Sequence, residues 1–249
     1  MDIEVVMQSE KLKEFAGQCG ADLVGVADLA SLEGIPTEPE DLFQGYHRAV
    51  SIAVRLADGV IDTIEDVPTP IYAQHYLKVN ALLDDLALRV AQFIQSACAK
   101  ALPIPASQAL NRELWTSYVS HKAVAVAAGL GWQGKSLLVV TPEYGPRVRL
   151  VTVLTDLPFT PDKPVKNRCG KCSQCSDACP VQAIRNVNTE SHYSSREEAL
   201  FFERCVDRVV KQNPQLPFIE LPICGVCVRA CPWGQKKTNA EKERATLGH

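Results

Sequence analysis

A chain of 249 residues with 46% apolar content can bury a full core, and this length suits one large and one small domain. A net charge of −3 with no dense block of lysine and arginine gives no basis for tracking a phosphate backbone, so no nucleic-acid partner is expected. No apolar run approaches the length of a membrane span, and the opening Met1-Asp-Ile-Glu-Val-Val has neither a basic n-region nor twin arginines, so the expectation is a cytoplasmic protein without a membrane partner.

In chain order, residues 8–19 read as a helix, and residues 22–27 and 49–56 as strands. A long helix follows Pro70, with Val79, Leu82, Leu83, Leu86, Val90, Phe93, Ile94 and Ala97 at helical spacing, and Pro103 and Pro105 are expected to end it. A second helix over residues 113–128 stops at Gly129, which suits a left-handed cap. Residues 136–140 and 148–155 read as strands joined by the turn at 141–146. Pro158, Pro161 and Pro164 mark a linker, placing a boundary near residue 160 between a domain at 1–160 and a smaller one at 161–249. Residues 194–211 read as one helix capped by Ser194 or Ser195 and carrying Cys205, and the Lys236, Lys237, Lys242 and Arg244 tail reads as a solvated end.

Eight of the ten cysteines fall into two runs that each end in Cys-Pro. The first, Cys169, Cys172, Cys175 and Cys179 before Pro180, has the bacterial ferredoxin spacing for a [4Fe-4S] cluster. The second takes Cys205 from upstream and then repeats the spacing in Cys224, Cys227 and Cys231 before Pro232. In two-cluster ferredoxins the cysteine before proline crosses to the other cluster. The expected sets are therefore Cys169, Cys172, Cys175 and Cys231 for one cluster, and Cys205, Cys224, Cys227 and Cys179 for the other. Structural zinc is the alternative, but it has no use for a third cysteine spaced by two residues and a following Cys-Pro. A disulfide framework suits small secreted chains rather than the last third of this one. Cys19 and Cys98 stand apart and are expected to be buried thiols.

Between the second helix and the next strand, Ala128-Gly-Leu-Gly-Trp132-Gln-Gly-Lys135-Ser136 places Gly129, Gly131 and Gly134 within six residues. Backbone there can approach a ligand closely, Trp132 offers a stacking face and Lys135 a cation; a tight turn with a core tryptophan explains the same residues.

That loop, the later Leu154-Thr-Asp-Leu-Pro158 and the two cysteine runs resemble the epoxyqueuosine reductase family, which joins a cobalamin-binding α/β domain to a two-cluster ferredoxin domain, a layout shared with reductive dehalogenases. The resemblance takes in the opening at 20–27 and the helix start at 72–79. It implies an α+β protein, an α/β sandwich of cobalamin-binding type followed by a two-cluster ferredoxin-like domain, with Gly129, Gly131, Trp132, Gly134, Lys135 and Ser136 holding the tail of a corrinoid whose lower base is displaced. Three departures accompany it. An ungapped count back from Gly129 puts Trp115 where the family has its aspartate acid. The chain ends soon after the second Cys-Pro, where relatives continue into an extension that helps meet transfer RNA, so an RNA substrate is not expected. The segment Tyr72-Ala-Gln-His-Tyr76 lacks the family's arginine and aspartate.

Candidate proton donors are His121, the leading choice, with Tyr118, Tyr76 and His75. Histidine titrates near neutrality, although a helical histidine is more often a packing residue. Arg147 and Arg149 could bind an anionic group or form an ordinary solvated strand face. Two readings follow. In the first, the chain passes single electrons from two [4Fe-4S] clusters, supplied by a low-potential donor such as ferredoxin or flavodoxin, to a bound corrinoid that reduces a small organic substrate. In the second, it is a non-catalytic electron-transfer or activator protein that docks a partner holding the active centre.

Overall fold

The computed structural model describes residues 3–111 and 115–235, with side chains from residue 9 onward; the lysine-rich tail and the first two residues of the helix expected at 113–128 lie outside the described residues. Helix α1 (Ile3–Gln18) leads to strand β1 (Leu23–Asp28), and β2 (Arg48–Arg55) and the short α2 (Asp58–Ile61) follow. Helix α3 (Pro70–Ser96) starts where Thr69 Oγ1 accepts the Tyr72 N–H at 3.4 Å and Pro70 occupies the first turn, a position that needs no N–H. It buries Val79, Leu83, Leu86, Val90 and Ile94, while Leu82 turns outward.

The prolines do not end α3. Its last turn closes at Ala97, and Cys98 takes the left-handed position with φ +57°, so this thiol is exposed rather than buried; Cys19 is half-buried. Pro103 instead lies within strand β3 (Ala101–Ile104), at the edge of the sheet, where a missing N–H leaves no ladder bond unmade.

The second helix is shorter than its sequence implies. Helix α4 (His121–Ala127) begins where Ser120 Oγ accepts the Ala123 N–H at 3.3 Å, and it ends at Gly129 with φ +72°. A two-residue hairpin, β4 (Trp132–Gln133) and β5 (Val139–Val140), then carries the chain into β6 (Val148–Thr155).

The sheet runs β1-β2-β6-β3 and is antiparallel throughout. Alternation along the strands feeds two layers. Val26, Val50, Ile52, Val151 and Val153 face α1 and α3, whereas Ala27, Ala49, Ala53, Leu150 and Leu154 face α4 and its neighbours. The proline-rich connection is anchored to the first layer: Asp162 accepts from Lys13 Nζ at 2.8 Å and from the Val26 N–H at 2.9 Å, and Phe159 is fully buried.

The cysteine-bearing segment contains only short helices: α5 (Gln174–Asp177), α6 (Arg196–Ala199), α7 (Phe202–Asp207) and α8 (Val226–Ala230). The single helix expected over 194–211 is broken because Leu200 leaves helical geometry to bridge Ile184, and after α7 the chain widens into a π turn at Arg208–Gln212. Ile219, Ile223, Val226 and Val228 join the same buried core as α3, so this segment packs directly on the sheet's helical layer.

Candidate functional site

The hairpin after α4 closes over the first cysteine run. Cys169, Cys172, Cys175 and Cys231 line one recess together with Gly134, Lys135, Ser136, Val140, Pro232 and Trp233. Cys231, from the end of the second run, is thus brought to the first three cysteines of the other. The remaining four form a second group, with Cys205 and Cys227 in electrostatic contact with Cys224 and Cys179. Burial pushes the Cys175 and Cys205 thiols up to about 11 and Cys231 up to about 12, with neighbouring cysteines adding to the rise. Such thiols keep their protons at neutrality unless a cation replaces them, which is the condition of a buried metal-sulfur site. Among the described residues no group of three or more His, Cys, Asp or Glu side chains could hold a single ion.

The glycine-rich loop faces this recess, and its side chains are already committed. Trp132, 1% exposed, donates its indole N–H to Cys169 Sγ at 3.3 Å and meets Trp233 edge to face at 4.9 Å between centroids. Lys135, also buried, donates to the Cys172 carbonyl at 2.8 Å and to Asn186 Oδ1 at 2.9 Å. Neither the stacking face nor the cation expected for a corrinoid tail is presented to solvent. Gly134 lines the recess with Ser136, while Gly131 and Gly129 allow close backbone approach, an added Cβ standing 2.2 Å from the Val140 carbonyl oxygen and 2.5 Å from the Lys163 carbonyl oxygen respectively. Beyond the second Cys-Pro, Gly234 packs against the turn at 141–145 so tightly that a Cβ would stand 2.0 Å from the Tyr144 carbonyl carbon.

The proposed proton donors separate in space. His121 donates through Nε2 to the Pro105 carbonyl at 2.9 Å, since a carbonyl only accepts, and this leaves Nδ1 to accept from Thr152 Oγ1 at 2.8 Å. Burial lowers its pKa against the opposing Pro105 carbonyl, so the ring is neutral with its one proton engaged. Tyr118 packs against the buried cluster that holds Leu29, Val119, Val124 and Leu154, on the α4 side of the sheet. His75 accepts the Ala57 N–H at 3.0 Å and anchors the start of α2. Arg147 is buried in ion pairs with Asp58 and Asp62, both at 3.1 Å, and so is structural.

Tyr76 differs from these. Arg149 donates to its hydroxyl at 2.9 Å and lies 4.2 Å over its ring; Ser107 Oγ is 3.0 Å from the same hydroxyl, and Asn80 Oδ1 accepts from Arg149 Nε at 3.0 Å. Tyr72, one turn earlier on α3, meets Tyr76 edge to face at 6.4 Å. Burial pushes the Tyr72 pKa up, Arg149 opposes this, and Cys227 and Cys224 add to the rise. Across from this group stands Lys122. Its side chain is open to solvent, yet Arg149, Cys205, Cys227 and Arg196 all lie within its electrostatic reach, and the protein mass around it pushes its pKa down. Lys122, in the first turn of α4, thus stands near Arg149 of the Tyr76 group on one side and near Cys205 and Cys227 on the other. Sequence reading missed Asn80, Ser107 and Lys122 as neighbours of Tyr76 and Arg149; the signal available was Asn80, a polar residue inside the apolar stripe of α3.

The two cysteine groups define a double-cluster iron-sulfur segment: the family model described as "4Fe-4S double cluster binding domain" matches residues 168–234, which hold all eight of these cysteines. The chain is a relative of epoxyqueuosine reductases and reductive dehalogenases. It is 33% identical to the epoxyqueuosine reductase of Bacillus subtilis (strain 168) over 129 residues, 49% of this chain and 31% of that protein. It is 29% identical to the tetrachloroethene reductive dehalogenase of Dehalobacter restrictus over 219 residues, 81% of this chain and 36% of that protein. The chain therefore spans about a third of the length of these curated relatives. Among solved structures it resembles the catabolic reductive dehalogenase NpRdhA in complex with 3-bromo-4-hydroxybenzoic acid, with a TM-score of 0.74 at 21% identity over 97% of this chain and 34% of that one. A reductive dehalogenase structure bearing on B12-dependent dehalogenation gives 0.72 at 21%, covering 97% and 34%. An epoxyqueuosine reductase with a tRNA-Tyr epoxyqueuosine-modified stem loop gives 0.62 at 24%, covering 94% and 67%. At these identities the structural likenesses establish the fold. Among the described residues no helix is long and apolar enough to cross a membrane.

Proposed function

We propose that this chain is a corrinoid-dependent iron-sulfur reductase, in which residues 161–249 hold two [4Fe-4S] clusters and residues 1–160 supply one wall of the corrinoid site. Cys169, Cys172, Cys175 and Cys231 bind the first cluster, and Cys179, Cys205, Cys224 and Cys227 the second. The observation that carries this reading is a juxtaposition: Tyr72 and Lys122 of the α/β layer lie within electrostatic reach of the second cysteine group, and Arg149 within reach of both side chains. A corrinoid bound there would supply low-potential cobalt able to reduce a small organic substrate. The glycine loop is assigned to the first cluster, since Trp132 and Lys135 are spent on Cys169 and Cys172.

Within this group Tyr76 is the proton donor the geometry supports best, in place of His121. Its hydroxyl accepts from Arg149, so a phenolate left by proton transfer would gain a charge-assisted hydrogen bond at 2.9 Å. Ser107, at 3.0 Å from the same oxygen, fixes its direction. Lys122 and Arg149 together favour an anionic substrate or cofactor group.

A second reading, an electron carrier that docks a partner holding the active centre, is favoured by Trp115 at the position of the family's acid. Anaerobic titration of the cluster-loaded chain with cobalamin separates the two. The reductase reading predicts binding at micromolar protein with the absorption change of a displaced lower base; absence of binding would leave the carrier reading.

A further inference from the structure

On the outer face of the cysteine segment, two guanidinium groups crowd one aromatic ring. Arg185 Cζ lies 3.8 Å from the centroid of Phe201 and Arg204 Cζ 4.4 Å, while Arg196 Cζ lies 3.7 Å from the centroid of the adjacent Phe202. Backbone bonds fix the arrangement: the Arg185 N–H donates to the Ala199 carbonyl at 2.8 Å and the Phe201 N–H to the Ala183 carbonyl at 2.7 Å, clamping the two segments together. Phe201 is 38% exposed, and both arginines are solvent-facing. Among the described residues neither Arg185 nor Arg204 pairs with a carboxylate; Arg204 donates only to the Gln182 carbonyl at 3.2 Å. Two uncompensated cations held round one ring repel each other, and a complementary anionic surface relieves that repulsion.

Beneath this platform, Ile184, Tyr193, Ala199 and Leu200 form a buried cluster against which Cys175, Cys179 and Cys227 pack. The Ala183 N–H donates to Cys179 Sγ at 3.3 Å, and Arg185 is two residues further on, about 7 Å of extended chain. The cationic platform therefore lies over a cluster that packs against cysteines of both groups, Cys175 of the first and Cys179 and Cys227 of the second.

We propose that the Arg185-Phe201-Arg204 platform is the docking surface for a small acidic one-electron carrier of the iron-sulfur or flavin type, which rests on the reading that the eight cysteines hold two clusters. In the docked complex one electron passes from the reduced carrier to a cluster; the carrier is oxidised by one electron, the cluster reduced by one, and no bond forms or breaks. An RNA partner is the less favoured occupant. With two guanidiniums packed on the ring of Phe201, little of its face is left for a base to stack on, and nothing about RNA recognition calls for a path to the sulfurs.

The test is stopped-flow reduction of the cluster-loaded full chain by a reduced, acidic plant-type ferredoxin under anaerobic conditions, without corrinoid. Arg185→Glu/Arg204→Glu should lower the second-order rate about tenfold or more at low ionic strength, with the gap closing as salt is raised, because steering of this kind is screened. Arg185→Gln/Arg204→Gln, a milder change, should give an intermediate loss if the charge-reversed chain does not fold. Iron and sulfide content and the rate of reduction by dithionite, a small reductant that needs no docking face, should match the parent. Equal ferredoxin rates in parent and variants at low salt would overturn the proposal, as would loss of tRNA stem-loop retention in the variants with ferredoxin rates unchanged. Slowed reduction in a chain that binds no cobalamin would uphold the docking surface while removing the corrinoid reading.

Discussion

Replacing Trp132 with phenylalanine should lower the reduction potential of the first cluster and leave the second unchanged. The indole N–H donates to Cys169 Sγ at 3.3 Å, and a hydrogen bond to a thiolate stabilises the more negative, reduced cluster more than the oxidised one. A hydrogen bond to a charged group is worth about 1.5–3 kcal/mol in all, of which a difference of about 1 kcal/mol between oxidation states is a reasonable share. For a one-electron couple about 1.4 kcal/mol corresponds to about 59 mV, so the expected fall is about 40 mV. Phenylalanine keeps a ring against Trp233, whose centroid lies 4.9 Å from that of Trp132, and so removes the donor while retaining most of the packing. An anaerobic redox titration followed by electron paramagnetic resonance resolves the two potentials. A fall confined to the second cluster, or no change at either, would refute the assignment of the glycine loop to the first.

Cys179→Ser should cost the second cluster far more than the first, although its sequence neighbours belong to the first; iron and sulfide analysis with the spectrum of the remaining cluster checks this, and equal loss at both would remove the crossover. Gly234→Val should destroy the first cluster selectively, because a side chain there meets the Tyr144 backbone and levers Cys231 out of its recess; unchanged iron content would show that the turn is not a clamp. Loading of the empty chain with iron and sulfide should speed up from about pH 6.5 to 8.5. With burial raising the thiols to about 11 at Cys175 and Cys205 and about 12 at Cys231, protons must leave before iron binds, and their release grows easier as pH rises. Stopped incorporation followed by absorbance measures it, and a rate that falls with pH would contradict the burial of these thiols. Tyr76→Phe should lower substrate turnover by about 100-fold with corrinoid binding intact, whereas His121→Gln should leave turnover close to parental.

The cysteine spacing made the double-cluster segment legible because ligand geometry is local: short steps between thiols set which sulfurs can share a cluster. The span of β6 was equally legible, with alternating valines and leucines between a turn and a proline. The glycine loop was not. Its three glycines and tryptophan read as a ligand cradle, but whether Lys135 reaches a corrinoid phosphate or the Cys172 carbonyl depends on a partner 37 residues away, which no local pattern encodes. Two element boundaries failed for a similar reason. The expected helix at 194–211 has adequate propensity, yet Leu200 gains more by bridging Ile184 over the cysteines. β3 was hidden by Pro103, which is tolerated only because β6 pairs it from one side. His121 drew attention as a titratable residue on a helix, and the structure spends both of its nitrogens on Thr152 and Pro105.

The most direct test of the account is the electron paramagnetic resonance spectrum of the cluster-loaded chain with cobalamin held in the cobalt(II) state. The expected signal is that of a displaced lower base, broadened or split when the second cluster is reduced, and relieved of that coupling in Cys205→Ser. A cobalt signal identical to that of free cobalamin, or one coupled only to the first cluster, would contradict the placement of the corrinoid beside Tyr76, Lys122 and Arg149.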